Sequence, residues 1–147
     1  MSRKLSLASI LCAIVTLGAS SALLAHDGPC TYRSVSGDWG YTTDGTRNGV
    51  GLVAGAGGLT LDRNGNVSNG AQTVSFAGTI AEETFSGTYT LNSDCTASMT
   101  VDVVSPIAPR TSHLNLIFVS DSNGVLGIFA DDGTILTVNG KKLAPGR

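Results

Sequence analysis

The sequence predicts an all-β protein whose strands form an antiparallel up-and-down barrel. No segment carries a sustained helical period of apolar residues. Short apolar and threonine-rich segments are instead separated by Asn-Gly and Asp-Gly dipeptides, which tolerate the positive φ of tight hairpins. Short connections favour pairing between consecutive strands, and closure into a barrel removes exposed edges. A β-sandwich is the alternative architecture.

Turn dipeptides and residue alternation together predict about eight strands. Within 84–91, apolar residues and glycine alternate with serine and threonine, and 97–103 repeats this pattern, as expected for strands with one dry face. Hairpin turns are predicted at Asp44-Gly45, Asn64-Gly65, Asn123-Gly124 and Asp132-Gly133, with further breaks at 77–78 and 92–94. The predicted strands lie near 36–43, 50–61, 66–77, 83–91, 96–104, 112–120, 124–130 and 134–139.

One predicted hairpin differs from the others in its outer face. Its two strands, 114–119 and 125–130, are apolar on both faces. We therefore expect this hairpin to be covered on both sides or to contact a partner.

The first 25 residues have the pattern of a signal peptide. Arg3 and Lys4 precede an apolar run over 5–17, and small residues follow over 18–25. The run is shorter than the roughly 20 residues of a membrane span, although an uncleaved anchor is an alternative. Cleavage after Ala22 or Ala25 would leave a single barrel domain, 26–147, in the periplasm or outside the cell.

The charge balance argues against a nucleic-acid partner. The chain has 9 basic and 11 acidic residues and a net charge of −2. Removal of Arg3 and Lys4 makes the remainder more acidic, and no basic cluster is left to bind phosphates.

The cysteines predict one disulfide. Of three cysteines, Cys12 falls in the predicted signal peptide, which leaves Cys30 and Cys95. An even pair in an exported chain favours a structural bond. A redox site would be expected to have closely spaced cysteines.

Three groups of residues resemble a group of exported bacterial proteins of unknown function. They are 37–40 (Gly-Asp-Trp-Gly), 58–67, and 85–89 followed by 94–96. The likeness covers most of 26–147 and implies a small barrel similar to the allene oxide cyclase and lipocalin-like folds, without an assigned activity. The Gly-x-Trp is also similar to that of lipocalins and avidins, whose tryptophan lies at the base of the barrel. Biotin sites of the avidin type use several tryptophans, and this chain has one.

The sequence favours a noncatalytic barrel with a small apolar ligand as its candidate partner. Barrels of about eight strands either fill with side chains or hold one small ligand, and apolar pockets with few polar groups suit this composition. Candidate wall residues are Trp39, Tyr41, Phe85, Tyr89, Phe118 and Phe129. The same aromatic residues would serve equally well to fill the interior.

Two other function classes remain open from the sequence. The resemblance to allene oxide cyclase implies a cyclase or isomerase that acts inside the barrel, with polar groups such as Glu83, Arg110 or His113. Fold alone does not transfer activity. The doubly apolar region over 114–130 is typical of a surface or matrix protein that assembles through exposed strands.

We expect neither a metal nor an organic cofactor. Asp62, Asn64 and Asn66 alternate like the first ligands of a calcium loop, but the glycine and glutamate that such a loop needs are missing. A hairpin turn explains these residues. One alternative depends on cleavage after Ala25, since a terminal His26 could then bind copper together with His113.

Overall fold

The structure is a computed structural model that describes residues 30–144. The predicted signal peptide (1–25), its cleavage site and His26 lie outside these residues. A four-residue helix, α1 (Tyr32–Val35), precedes eight strands. The strands are β1 (Gly37–Arg47), β2 (Gly51–Leu61), β3 (Asn66–Phe76), β4 (Thr79–Leu91), β5 (Thr96–Val104), β6 (Arg110–Val119), β7 (Gly124–Phe129) and β8 (Thr134–Lys142).

The strands form one closed antiparallel barrel in sequence order, which confirms the predicted fold class. Each strand pairs with the next, and β8 pairs with β1 to close the sheet. The sandwich alternative is wrong, because β8 and β1 share a continuous register from Trp39–Lys142 to Arg47–Thr134. In the described part of the chain, no helix is both long enough and apolar enough to cross a membrane.

The prediction of a turn at Asp44-Gly45 is wrong. Both residues lie inside β1, where Gly45 pairs with Val53 on one side and Leu136 on the other. A Cβ on Gly45 would lie 2.9 Å from the carbonyl carbon of Ile135. The glycine therefore permits a close approach between β1 and β8, a role that a dipeptide pattern does not distinguish from a turn.

The two ends of the barrel differ. The closed end carries α1 and the turns over 62–65, 92–95 and 120–123. The open end carries the other four connections, over 48–50, 77–78, 105–109 and 130–133.

The closed end is sealed by α1, which we call the plug. Thr31 caps the helix, because its hydroxyl accepts from the amide of Ser34 and its own amide donates to the Ser34 hydroxyl, both at 3.1 Å. Val35, the last residue of the helix, is fully buried. Cys30 bonds to Cys95, with their Cα atoms 5.0 Å apart, as the sequence predicts.

Inward-facing residues form two apolar clusters along the barrel axis. The larger lies towards the plug and includes Trp39, Phe85 and Phe118. The smaller lies towards the open end and comprises Val53, Val74, Phe76, Ala81 and Leu136. Phe129 contacts both clusters. The interior is thus apolar at each end, and the polar groups described below lie between.

The doubly apolar hairpin is not covered on its outer face by any described part of the chain. Ile117 and Leu126 face each other across β6 and β7, and Ile128 lies beside them. Their exposed fractions are 43%, 45% and 47%. The described residues therefore do not supply this cover, and the other expectation, contact with a partner, stays a prediction.

Candidate functional site

The lumen contains a cavity of about 70 Å³ between the plug and the middle of the barrel. Its walls are mostly aliphatic and aromatic side chains from all eight strands. Trp39 and Phe118 lie at the plug end and pack edge to face, with ring centroids 5.4 Å apart. The Trp39 indole donates to the carbonyl of Val35 at 2.9 Å. The tryptophan is therefore held at the closed end of the barrel.

Five of the six predicted wall residues line this cavity: Trp39, Tyr41, Phe85, Phe118 and Phe129. Tyr89 lies elsewhere, under the plug, where its ring packs against Tyr32 with centroids 5.3 Å apart. Its hydroxyl donates to the carbonyl of Asp62 at 2.6 Å. Burial, the charge of Asp62 and the neighbouring Tyr32 raise the pKa of Tyr89 to about 12. Tyr89 thus ties the plug to the β2–β3 turn.

Four polar residues cross the lumen at the open side of this cavity, and we call them the polar belt: Tyr41, Gln72, Glu83 and Arg110. The Tyr41 hydroxyl donates to Oε1 of Gln72 at 2.8 Å, and Nε2 of Gln72 donates to Glu83 at 2.6 Å. Arg110 donates to both carboxylate oxygens of Glu83, at 2.8 and 2.9 Å. The pair is bidentate and the Glu83 side chain is 0% exposed.

The sheet register brings the belt together. Tyr41 pairs with Gly57, Gly57 with Gln72, and Gln72 with Glu83, so one row crosses β1 to β4. A Cβ on Gly57 would lie 2.6 Å from Cβ of Gln72. Because Gly57 has no side chain, Tyr41 reaches over it to Gln72. Arg110 reaches Glu83 from β6, across the intervening β5.

Within the polar belt, Glu83 and Arg110 are charged, whereas Tyr41 and Gln72 are neutral. Burial alone would raise the pKa of Glu83, but hydrogen bonds from Arg110, Ser105 and Gln72 outweigh it and lower the pKa. Burial and the charge of Glu83 raise the pKa of Tyr41 far above the usual tyrosine value, while Arg110 opposes this shift. Tyr41 therefore remains a protonated hydrogen-bond donor.

The belt separates the inner cavity from a smaller outer pocket of about 20 Å³ at the open end. Gln72, Arg110, Ser112 and Phe129 line both spaces. The outer pocket also includes Thr43, which is buried and whose hydroxyl has no hydrogen-bond partner among the described residues. A ligand entering from the open end must pass this polar layer.

His113 lies on the outer surface and not in the lumen. Its Nδ1 is 2.8 Å from a carboxylate oxygen of Asp131, and 56% of its side chain is exposed. Of the three polar groups that the cyclase alternative names, only Glu83 and Arg110 meet inside the barrel. The copper alternative needs His26, which lies outside the described residues.

The Asp62 turn is occupied by its own hydrogen bonds. One carboxylate oxygen accepts from the amides of Asn64 and Asn66, both at 2.8 Å, and the other accepts from the Asn66 side chain. The Asn66 side chain and backbone lower the pKa of Asp62. Within 30–144, no group of three or more histidine, cysteine or acidic residues is placed to hold a metal ion.

The open end is also distinguished by its outer surface. Each of its four connections carries or adjoins an exposed aliphatic side chain, and together these are Val50, Leu52, Ile80, Val104, Ile107 and Ile135. The three turns of the closed end carry no exposed large apolar residue in the described chain, and Leu143, just after β8, is the exposed aliphatic residue next to that end. The mouth of the barrel is therefore rimmed by aliphatic groups.

Three members of the belt were expected inside the barrel from the sequence, Tyr41 as a wall residue and Glu83 and Arg110 as polar groups, whereas Gln72 was not. Glu83 stands two residues before Phe85 and so shares the apolar face of β4. Gln72 and Tyr41 each alternate with outward-facing neighbours in the same way. That these residues meet depends on the register of four strands, which no local pattern encodes.

Comparison of the chain with protein-family models, with curated proteins and with solved structures finds no significant match. The fold and the lumen together define a plugged, eight-stranded up-and-down β-barrel with an apolar cavity beneath a polar layer.

Proposed function

We propose that this chain is an exported, noncatalytic barrel protein that holds a small apolar ligand in its lumen. The observation that carries the proposal is the cavity of about 70 Å³ with almost wholly apolar walls, which include Trp39 and Phe118 at the plug end. Apolar cavities of this kind stay dry, and one of about 150 Å³ takes up benzene. The cavity therefore suits a ligand of a few carbon atoms, or a longer one that extends towards the open end.

Two features support a binding role over catalysis and a location outside the cytoplasm. Glu83 and Arg110, the ionisable pair of the lumen, bind each other, so in this arrangement neither is a free acid or base. The Cys30–Cys95 disulfide is compatible with an oxidising compartment.

The test compares one substitution inside the cavity with one outside it. Val101 lines the cavity, and Val104, three residues further on, faces solvent. We expect n-butane to change Trp39 fluorescence and to stabilise the wild type, by about 2.7 kcal/mol at 100 times Kd. Val101→Phe should abolish both effects while Val104→Phe retains them.

Two results would count against lumen binding. Either propane and n-butane leave the wild type unchanged, or a folded Val101→Phe variant binds them as well as the wild type does. Val138→Met, which adds fewer atoms to the same cavity, provides a second variant if Val101→Phe fails to fold.

A second candidate function, a surface or matrix protein, is favoured by the aliphatic rim of the open end. Sedimentation velocity across a concentration series would test it. Association that Leu52→Ser with Ile135→Ser removes, and that Leu126→Ser on the side of the barrel does not, would support an interaction through the rim.

A further inference from the structure

The charges that line the lumen balance before any ligand enters. Arginine is always protonated in proteins, and Arg110 forms an ion pair with the ionised Glu83, while Tyr41 and Gln72 carry no charge. The outer pocket adds Arg47 and Asp131, one charge of each sign. At the belt itself, therefore, no charge is left unpaired for a ligand ion, and Arg47, which forms no ion pair within the described residues, lies beyond the belt in the outer pocket.

The belt leaves hydrogen-bond donors unused on Arg110. The carboxylate of Glu83 already accepts from two nitrogens of Arg110 and from Gln72. An arginine side chain has five N–H groups, and Arg110 uses two on Glu83 and one on the carbonyl of Ala108. Its remaining N–H groups can bind an acceptor atom from a ligand.

Thr43 provides an independent observation on the open side of the belt. Its hydroxyl is buried and lacks a partner within the described chain. Thr43 stands one inward-facing position beyond Tyr41 on β1, and both it and Arg110 line the outer pocket. A buried hydroxyl without a partner is unfavourable, and a ligand oxygen near the belt would satisfy it.

These observations discriminate between classes of ligand. A carboxylate ligand at the belt would place a further negative charge beside the Glu83–Arg110 pair in a buried, low-dielectric space, and an ammonium ligand would find Glu83 already bound by Arg110 and Gln72. A pure hydrocarbon would leave Thr43 and the free N–H groups of Arg110 without partners. An uncharged molecule with one acceptor oxygen avoids all three penalties.

We propose, on the basis of the proposed function, that the ligand is an uncharged amphipathic molecule. Its apolar body occupies the inner cavity, and a single hydroxyl or carbonyl oxygen lies at the belt, within reach of Arg110 and Thr43. The polar belt acts as the selectivity filter that admits alcohols and ketones and rejects acids and amines of the same length.

A matched set of six-carbon probes tests this inference: 1-hexanol, 2-hexanone, hexane, hexanoate and hexylammonium. Their binding to the wild type is measured at pH 7 by Trp39 fluorescence and by the shift in thermal unfolding. We expect hexanol and hexanone to bind at least about tenfold more tightly than either ion, and more tightly than hexane.

Glu83 and Glu82 supply a matched pair of variants. Glu83→Gln removes the charge that balances Arg110, so we expect hexanoate to overtake hexanol. Glu82 lies on the outer face, where its carboxylate binds Thr73, and Glu82→Gln should leave the order of affinities unchanged. Thr43→Val should reduce the preference for hexanol over hexane, and it provides a second variant if Glu83→Gln does not fold.

The outcomes separate the two proposals. If hexanoate binds the wild type as well as hexanol does, or if hexane binds as well and Thr43→Val has no effect, the inference is overturned while lumen binding stands. If no probe binds the wild type, the inference falls together with the proposed function.

Discussion

Replacing Arg110 with methionine tests whether the buried ion pair organises the lumen. The change leaves the Glu83 carboxylate buried, with a side chain that is 0% exposed, and removes two of its hydrogen bonds. Breaking one partner of a buried pair costs about 3–5 kcal/mol. The hydrogen bond from Gln72 remains, so we expect the free energy of unfolding to fall by about 3 kcal/mol. This is a large part of the 5–15 kcal/mol typical of a domain.

The double variant Glu83→Met with Arg110→Met separates the charge from the packing. Apolar replacement of both partners of a buried pair is commonly neutral or stabilising by about 1–4 kcal/mol. We therefore expect the double variant to be at least as stable as the wild type at pH 7. Urea unfolding, followed by circular dichroism and Trp39 fluorescence, measures all four members of the cycle.

The pH dependence gives this prediction a second, signed readout. In the wild type, the pKa of Glu83 lies below its ordinary value of 4.5, so its contribution is present above pH 4.5 and is lost as pH falls through the folded-state pKa. Without Arg110, burial raises the pKa above the unfolded value, and the destabilisation grows as pH rises. The gap between the wild type and Arg110→Met should therefore narrow from pH 7 to pH 4.5.

Arg47 supplies the control and completes the test. It lines the outer pocket but forms no ion pair within the described residues, so Arg47→Met should change stability by about 0.5 kcal/mol or less. The reasoning is refuted if Arg110→Met costs less than about 1 kcal/mol at pH 7, or if its cost is the same at both pH values.

Three further predictions concern stability and use urea unfolding. Replacing Cys30 and Cys95 with serine removes a disulfide between residues 65 positions apart, so we expect the free energy of unfolding to fall by about 4 kcal/mol. A fall of less than about 1 kcal/mol would contradict a role for the disulfide in holding the closed end together. Gly57→Ala places a methyl group against the Gln72 side chain, so we expect the free energy of unfolding to fall by about 1–3 kcal/mol. An unchanged urea midpoint would mean that the contact between Tyr41 and Gln72 does not depend on the missing side chain at position 57. Thr43→Val removes a buried hydroxyl without a partner in the described chain and should stabilise the ligand-free protein by about 1 kcal/mol; destabilisation would indicate that the hydroxyl is satisfied.

The class of fold was predictable because its signals are local. Alternation over 84–91 and 97–103 assigns an inner and an outer face to β4 and β5, and both strands are observed. The turns at Asn64-Gly65 and Asp132-Gly133 lie where the sequence predicts them, whereas Gly124 of the predicted Asn123-Gly124 turn is already the first residue of β7. Local signals failed at Asp44-Gly45, where a glycine serves a strand–strand approach, and at α1, whose four residues are too few for a helical period.

The candidate site was only partly predictable. Aromatic residues on inward-facing positions identify five residues of the cavity wall, because parity along a strand decides which face a side chain occupies. The odd or even position of a residue along its strand does not decide how far along the barrel axis it lies, and therefore which side chains of other strands it meets. Tyr89 has the parity of Phe85 but lies nearer the plug and so lines no part of the cavity.

The sequence by itself determined the class of fold, the strand order, the cysteine pairing and the inward or outward position of most side chains. Those properties follow from the two-residue period of a strand and from short-range turns. Only the tertiary structure decided that Arg110 meets Glu83, that Gly57 opens a row for Tyr41 and Gln72, and that the plug covers one end. These contacts depend on barrel closure and on register, which join residues far apart in the chain.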